Sequence, residues 1–329
     1  PTVSFPNPPG TGNGDDMYIR DGSNNTALVG TLSDSDVGMI SQQTINQKVS
    51  GVRGNLNVTV NAGTTMDIGW SGIEFEGNKG ASHLTGTKYS TDRNTTGYSG
   101  FSAMKLVGGH EIQINGTDIN FSGTGPNSYR KWLFHTDGHN NYGDSTWVIG
   151  SDSTVNINGS NLIMYTAQYH GSAPTRGSVG MLNKGNITTT NTGSDTKNFI
   201  WYAMSAGSWG GDRVMFFNNA GNITLNGKAD VFAAVNSESS GSFSIINDGS
   251  IKLAGENQAG IAFGQSYPKG EILLNKPITI TGKGSTGVYL AHSVDLDGGE
   301  TRGVSTAGNQ VTTFPAITRE SILNVDITK

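Results

Sequence analysis

Over residues 242–263, apolar positions alternate with polar or small ones in three short runs, Phe243/Ile245, Ile251/Leu253 and Ile261/Phe263. Asn- and Gly-rich stretches separate the runs. Period two predicts three strands, each with one buried face. The same phrase returns along the chain. Ile246-Asn247-Asp248-Gly249-Ser250-Ile251 is echoed by Leu274-Asn275-Lys276-Pro277-Ile278 downstream, and by Asn219-Ala220-Gly221-Asn222-Ile223 and Leu182-Asn183-Lys184-Gly185-Asn186-Ile187 upstream. Weaker copies begin at Val155, Ile112 and Leu56. Successive anchors Leu56, Ile112, Val155, Ile187, Ile223, Ile251 and Ile278 are 56, 43, 32, 36, 28 and 27 residues apart.

A repeat of this length, with three short strands per unit, predicts a single turn of a parallel β-helix in which each strand pairs with its counterpart one coil away. No coil can bury its apolar face alone, so stacking supplies the core. An antiparallel sandwich also has short strands and frequent turns, but it does not account for one motif recurring at a fixed phase. The expected architecture is therefore all-β, a parallel β-helix with coils of about 27–36 residues and loop insertions in its N-terminal half. Residues 1–50, with Pro6, Pro8, Pro9 and the run Gly10-Thr11-Gly12-Asn13-Gly14, read as a linker, irregular or capping segment, and residues 51–329 as the solenoid. Ser321-Ile322-Leu323-Asn324-Val325-Asp326-Ile327 has the look of the first strand of one more coil. Asn183, Asn219, Asn247 and Asn275 occupy equivalent turn positions, where Asn tolerates left-handed backbone and can hydrogen-bond to the Asn of the next coil as a ladder. Pro277 replaces Gly-x and shortens its turn by one residue.

Composition narrows the picture. The 329 residues include 48 Gly, 32 Asn, 33 Ser and 35 Thr, a bias that disfavours helix throughout. Only 14% of residues are charged and the net charge is −5, with no basic cluster, which argues against nucleic acid as a partner. There is no Cys, so disulfides, thiolate-ligated zinc and thiol chemistry are excluded. No signal peptide and no run of 18 apolar residues is present, and a start at Pro1-Thr2-Val3 without Met points to processing or excision from a longer chain.

Four patterns resemble catalytic signatures and fail on context. Gly282-Lys283-Gly284-Ser285-Thr286-Gly287 fits a dinucleotide fingerprint but leads into a strand, not a helix. Gly143-Asp144-Ser145-Thr146 lacks the strand–turn–helix of a nucleophile elbow. Gly108-Gly109-His110-Glu111 faintly matches an element of β-helical polysaccharide hydrolases, whose chemistry needs two carboxylates about 5–9.5 Å apart. Counted from the anchors, Asp67, Asp118, Asp152, Asp195 and Asp230 share no phase. Asp15, Asp16, Asp21, Asp34 and Asp36 lack calcium-loop spacing. No catalytic residue, cofactor or metal is expected.

The segment singled out for binding is residues 126–150, read as an insertion between coils. It concentrates Tyr129, Arg130, Trp132, His135, His139, Tyr142 and Trp147, side chains of the kind that carry interface energy. The alternative is that Trp132, Phe134 and Trp147 pack the insertion onto the coil beneath. A second excursion runs from Phe199 to Arg213.

The units Asn247-Asp248-Gly249-Ser250-Ile251-Lys252-Leu253-Ala254-Gly255 with Gly260-Ile261, and Ile278-Thr279-Ile280-Thr281-Gly282 with Gly287-Val288-Tyr289, resemble the repeats of type V autotransporter passengers, most nearly the large bacterial surface adhesins of the fusobacterial kind. The resemblance is strongest over residues 180–290. It implies a right-handed β-helix displayed outside the cell on a parent chain anchored by an outer-membrane β-barrel. It also implies adhesion to a protein or glycan of host or bacterial cells, as a monomer without enzymatic activity. The protease motif Gly-Asp-Ser-Gly of some passengers is absent, since Thr146 follows Ser145. A pure structural spacer and a polysaccharide-degrading enzyme are the competing functions.

Overall fold

The computed structural model describes residues 2–4, 17–20, 29–32, 57–60, 65–67, 73–76, 81–85, 88–93, 102–107, 111–124, 131–137, 144–170, 178–190, 197–206, 214–237, 242–263 and 269–290. Among these, 27 strands form three sheets of nine, every pairing parallel, with no helix. The chain visits the sheets in rotation. In the clearest coil Ser242–Asn247 lies in the first sheet, Ser250–Leu253 in the second and Ala259–Phe263 in the third. Lys269–Leu274, Ile278–Ile280 and Thr286–Leu290 repeat the circuit one rung further on. The molecule is a β-solenoid of three parallel sheets.

Register follows the repeat. In the second sheet Val155 pairs with Ile187, Ile187 with Ile223, Ile223 with Ile251 and Ile251 with Ile278, so five of the sequence anchors form one continuous column. From Val155 to Ile251 these side chains are fully buried, and their strand neighbours point alternately out to solvent. Burying one such side chain contributes about 1.5–3 kcal/mol. That gain accrues only when the rung above and the rung below are both in place.

Ile112 does not belong to this column. It lies in Glu111–Asn115 of the first sheet, opposite Trp147, and the residue that pairs with Val155 is Ile119. The true interval is 36 residues, not 43. The 56-residue gap between Leu56 and Ile112 is likewise no enlarged coil, because Ala81–Thr85 lies between Asn57–Val60 and Glu111–Asn115 in the same sheet. Alternation identifies a buried face, but strands of different sheets alternate alike. At Ile112, where the Asn-x-Gly phrase is missing, phase assigned from alternation alone slipped to another sheet. Within residues 1–50, Thr2–Ser4, Met17–Arg20 and Val29–Leu32 each provide the end strand of one sheet.

The corner between the first and second sheets explains that phrase. Asn183, Asn219 and Asn247 are buried and stacked, with Nδ2 of Asn183 donating to Oδ1 of Asn219 at 2.9 Å and Nδ2 of Asn219 to Oδ1 of Asn247 at 2.9 Å. The Oδ1 atoms of Asn183 and Asn219 also accept the backbone N–H two residues on, from Gly185 at 3.1 Å and Gly221 at 3.2 Å. Glycine is required there by close approach. A Cβ on Gly221 would strike the carbonyl oxygen of Gly185, and one on Gly249 that of Gly221. The Asn thus closes its own turn and ties it to the next, while the Gly lets the turns stack.

Asn275 departs from the ladder. Pro277 does not shorten the turn as expected: Leu274 stands opposite Asn247 and Ile278 opposite Ile251, four positions apart in both rungs, so the Asn is displaced by one position out of the ladder, and the Asn247 amide donates to the Lys276 carbonyl at 2.8 Å. Asn275 is exposed and donates to Asp248 Oδ1 at 2.6 Å. On the other side Ile149 pairs with Asn183, so aliphatic residues bracket a three-rung ladder.

A second polar column escapes the sequence reading. Phe199, Val231, Ala259 and Thr286 are in register in the third sheet, so the residues just before them, Asn198, Asp230, Gln258 and Ser285, line the corner entering that sheet. Asn198 Oδ1 accepts from Leu162 N–H at 3.1 Å, Asp230 Oδ1 from Asn198 N–H at 2.9 Å and Ser285 Oγ from Gln258 N–H at 3.0 Å. Asn198, Asp230 and Ser285 thus cap backbone N–H groups of the preceding rung, while the Gln258 amide donates to the carbonyls of Leu225 at 3.0 Å and Gly227 at 2.6 Å.

The third sheet is apolar on both faces. Phe134, Tyr165, Trp201, Ala233 and Ile261 line the solenoid interior, while Trp132, Ile163, Phe199, Tyr202, Val231, Ala234 and Ala262 form a separate buried cluster. Its sequence signature is a continuous apolar run, such as Leu162-Ile163-Met164-Tyr165, in place of alternation.

Candidate functional site

Two stretches of the segment read as an insertion are strands of the stack itself. Lys131–Asp137 is a strand of the third sheet, paired with Ser102–Val107 and Leu162–His170, and Ser145–Ile149 is a strand of the first. The aromatic residues in them face inward or into the second cluster. Trp147 is 0% exposed and packs against Phe134 at 4.9 Å between ring centroids. Its indole N–H donates to Thr136 Oγ1 at 3.0 Å, and that hydroxyl lies 3.1 Å from the Tyr165 hydroxyl. Burial holds the Tyr165 phenol far above its ordinary pKa, against the smaller opposing effect of its hydrogen bond to Thr136.

Trp132 and His135 sit on the outer side of the same strand, edge to face at 4.8 Å, and are 7% and 4% exposed. Three of the seven residues singled out for binding are therefore packing residues, and none of Trp132, His135 and Trp147 offers a surface to a partner. Tyr129, Arg130, His139 and Tyr142 lie outside the described residues. In the second excursion Trp201 and Tyr202 are buried in Phe199–Ala206, and Trp209 lies outside the described residues.

The motifs with catalytic look-alikes are corners. Gly282 stacks so closely on Gly255 that a Cβ would strike the Gly255 carbonyl, and Ser285 Oγ donates to that carbonyl at 3.0 Å. This segment is a stacked turn and forms no phosphate cradle. Asp144 Oδ1 accepts the Ser178 backbone N–H at 2.8 Å, and Ser145 is buried at the start of its strand. Asp144 therefore bonds to the backbone of the next rung. Glu111 opens a strand opposite Ala81 and Thr146. Among the described strand pairs no carboxylate stands opposite another, and no group of His, Asp and Glu suited to a metal ion occurs among the described residues. The acidic residues Asp15, Asp16, Asp21, Asp34 and Asp36 lie outside them.

What the described surface does offer is the outer face of the second sheet. Asp118, Thr154, Asn186 and Asn222 form one outward column, and Asn120, Asn156, Thr188 and Thr224 the next. Asn222 Nδ2 donates to Asn186 Oδ1 at 2.9 Å, Thr188 Oγ1 to Asn156 Oδ1 at 2.7 Å and Thr154 Oγ1 to Asp118 Oδ1 at 2.6 Å. Short amide and hydroxyl side chains repeat at about 4.8 Å along the axis. Each gives part of its hydrogen-bonding capacity to a neighbour, which fixes its rotamer and leaves the remainder to solvent.

The chain matches no protein-family model, no curated protein and no solved structure.

Proposed function

We propose that the chain is a stalk-forming part of a non-enzymatic, cell-surface adhesin, a passenger of the autotransporter kind whose parent is anchored by an outer-membrane β-barrel. The observation that carries this reading is the uninterrupted stack. Nine strands per sheet, at about 4.8 Å each, give a rod of roughly 38 Å held by in-register columns from one end to the other. Such a rod resists bending because every rung contacts only its neighbours through a dry core and backbone ladders. Its outer chemistry is nearly neutral and rich in amides and hydroxyls, which suits a glycan or protein partner on a host or bacterial cell better than a polyanion. The sequence resemblance over residues 180–290 supplies the class.

One observation favours the spacer as the second reading. Trp132 and Trp147, the strongest candidate anchors, are consumed in packing. The two readings separate in a cell-binding assay on the purified chain, wild type against Tyr129→Ala/Arg130→Ala/Tyr142→Ala, with circular dichroism to confirm an unchanged fold. Wild-type binding that the triple variant loses supports adhesion through this region. No binding by the wild type, or equal binding by both, moves the reading to a spacer or to another surface. Release of reducing ends from neutral or acidic glycans would overturn the non-enzymatic reading. Trp132→Ala and Trp147→Ala cannot serve, because both act on the fold.

A further inference from the structure

Three Asn-Gly pairs fall among the described residues, Asn115-Gly116, Asn158-Gly159 and Asn226-Gly227, and the stack holds them differently. Asn158 and Gly159 lie inside the strand Thr154–Ser160, where Asn158 is paired with Ser122 on one side and Thr190 on the other, and Gly159 with Gly123. Asn115 ends the strand Glu111–Asn115, and the Gly116 N–H donates to Asp152 Oδ1 at 2.7 Å. Asn226 is exposed and has left its strand, since Asn222–Leu225 ends one residue earlier and Gly227 opens the turn toward the third sheet. Its own N–H is held by the carbonyl and the hydroxyl of Thr189, each at 3.2 Å. The Gly227 N–H and the Asn226 side chain enter no hydrogen bond among the described residues.

An Asn followed by Gly can close on itself. The Gly nitrogen attacks the side-chain carbonyl carbon of the Asn, its proton passes to the departing amide nitrogen, and ammonia leaves behind a cyclic imide. Water then opens the ring. Addition at the side-chain carbonyl breaks its bond to the Gly nitrogen and gives aspartate; addition at the main-chain carbonyl breaks the other and gives isoaspartate, with the backbone rerouted through the side chain. Glycine favours closure because no Cβ crowds the attacking nitrogen and the backbone turns freely. Closure also needs an N–H that is not engaged and a backbone that can leave the extended conformation, and a strand ladder refuses both. Asn226 alone of the three described pairs meets these conditions. The equivalent positions in the rung before and the two rungs after are Thr190, Ala254 and Thr281, none of which carries an amide.

We infer that Asn226 is a site of spontaneous modification, converting to aspartate and isoaspartate through the cyclic imide while the fold protects Asn115 and Asn158. Only water is consumed. The site lies against the polar corner: the Gly227 carbonyl accepts from Gln258 Nε2 at 2.6 Å and from the Asp230 N–H at 3.3 Å, and Asp230 Oδ1 accepts the Asn198 N–H at 2.9 Å. Isoaspartate inserts a methylene into the backbone immediately before that carbonyl. Either product adds a negative charge beside a face rich in amides and hydroxyls. Conversion at Asn226 therefore loosens the bonds that join its rung to those before and after it. The chemistry is the same whether or not the rod is adhesive.

The test is peptide mapping by mass spectrometry on the purified chain, held folded at mildly alkaline pH and, in parallel, unfolded in denaturant. The readout is exchange of an amide NH2 for OH, placed by fragmentation so that Asn226 is separated from Asn218, Asn219 and Asn222, with isoaspartate among the products. Asn13-Gly14 lies outside the described residues and is followed in its own peptide. In the folded chain Asn226 should convert about tenfold or more faster than Asn115 and Asn158, where Asp152 or a strand ladder has first to release the backbone. In denaturant the three should converge to within about threefold, because sequence neighbours alone then set the rate. Equal rates in the folded chain, or no conversion at Asn226, overturn the inference. A preference as large in denaturant overturns it too, since the fold then selects nothing. Asn226→Gln, whose longer side chain closes far more slowly, should remove the signal and leave Asn115 and Asn158 unchanged; a signal that persists in that peptide overturns the assignment. Converted protein should exchange amide hydrogens faster over residues 226–237 and 254–263 than Asn226→Gln protein aged beside it, and unchanged exchange overturns the effect on the corner.

Discussion

Asn219 is the position at which the fold's energetics are most open to measurement. Its amide stands in the middle of the three-rung ladder at 1% exposure, accepting from Asn183 and the Gly221 N–H and donating to Asn247. Asn219→Ala removes all of these at once. The Asn247 Oδ1 and the buried Gly221 N–H each lose the partner that the amide supplied, while the Asn183 amide keeps its bond to the Gly185 carbonyl at 3.2 Å. At about 1–3 kcal/mol per stranded buried group, two such groups amount to about 4 kcal/mol. That is close to a thousandfold in the equilibrium for local opening. The contrast is Asn275→Ala, whose exposed side chain bonds to exposed Asp248 and whose loss should stay within about 0.5 kcal/mol. Hydrogen exchange read by mass spectrometry over residues 214–226 and 242–254 is the suitable assay, because a stack of nearest-neighbour units opens locally before it unfolds globally. Equal exchange in the two variants would refute the claim that the ladder, and not the apolar columns alone, holds that corner.

Two further outcomes follow from the buried aromatic network. Trp147→Ala should lower stability by about 3–5 kcal/mol, read as a shift in denaturant midpoint, with Trp147→Phe losing less; a loss below 1 kcal/mol, about the scale of a surface change, would contradict its placement in the core. Tyr165 has a folded pKa raised above its ordinary value of 10.0, so its contribution is fully present below pH 10 and is lost as pH rises through that value toward the folded one. Tyr165→Phe should therefore move the alkaline unfolding midpoint, followed by circular dichroism, to higher pH, and an unmoved midpoint would count against it.

Much of the fold was legible because one phrase does two jobs. Asn-x-Gly marks the corner by its hydrogen bonding and its close approach, and the apolar residue that follows opens the second-sheet strand. Wherever the phrase stands, at Asn183, Asn219 and Asn247, the register read from the sequence and the register in the structure coincide. Where it is missing, the reading fell at Ile112 on a strand of the first sheet, and it passed over the rung of Ala81–Thr85. The polar corner at Asn198, Asp230, Gln258 and Ser285 was not legible, because its work is to bond to backbone groups of the preceding rung, the N–H groups by Asn198, Asp230 and Ser285 and carbonyls by Asn198, Gln258 and Ser285. An amide oxygen, a carboxylate and a hydroxyl can each accept a backbone N–H, so no single residue type repeats.

By itself the sequence determined the class and period of this protein: alternation at period two, a recurrent turn of fixed chemistry and a composition hostile to helix leave a stacked β-solenoid as the consistent solution. Tertiary structure alone decided which side chains remain available. Trp132, His135 and Trp147 read as a binding cluster because aromatic and imidazole side chains gathered in one segment, yet burial depends on which strands lie above, below and across, and those neighbours come from residues some 30 positions away. The same holds for the third sheet, whose second apolar face is filled from five successive rungs. Local pattern sets which residues share a face; only the stack sets whether that face meets water.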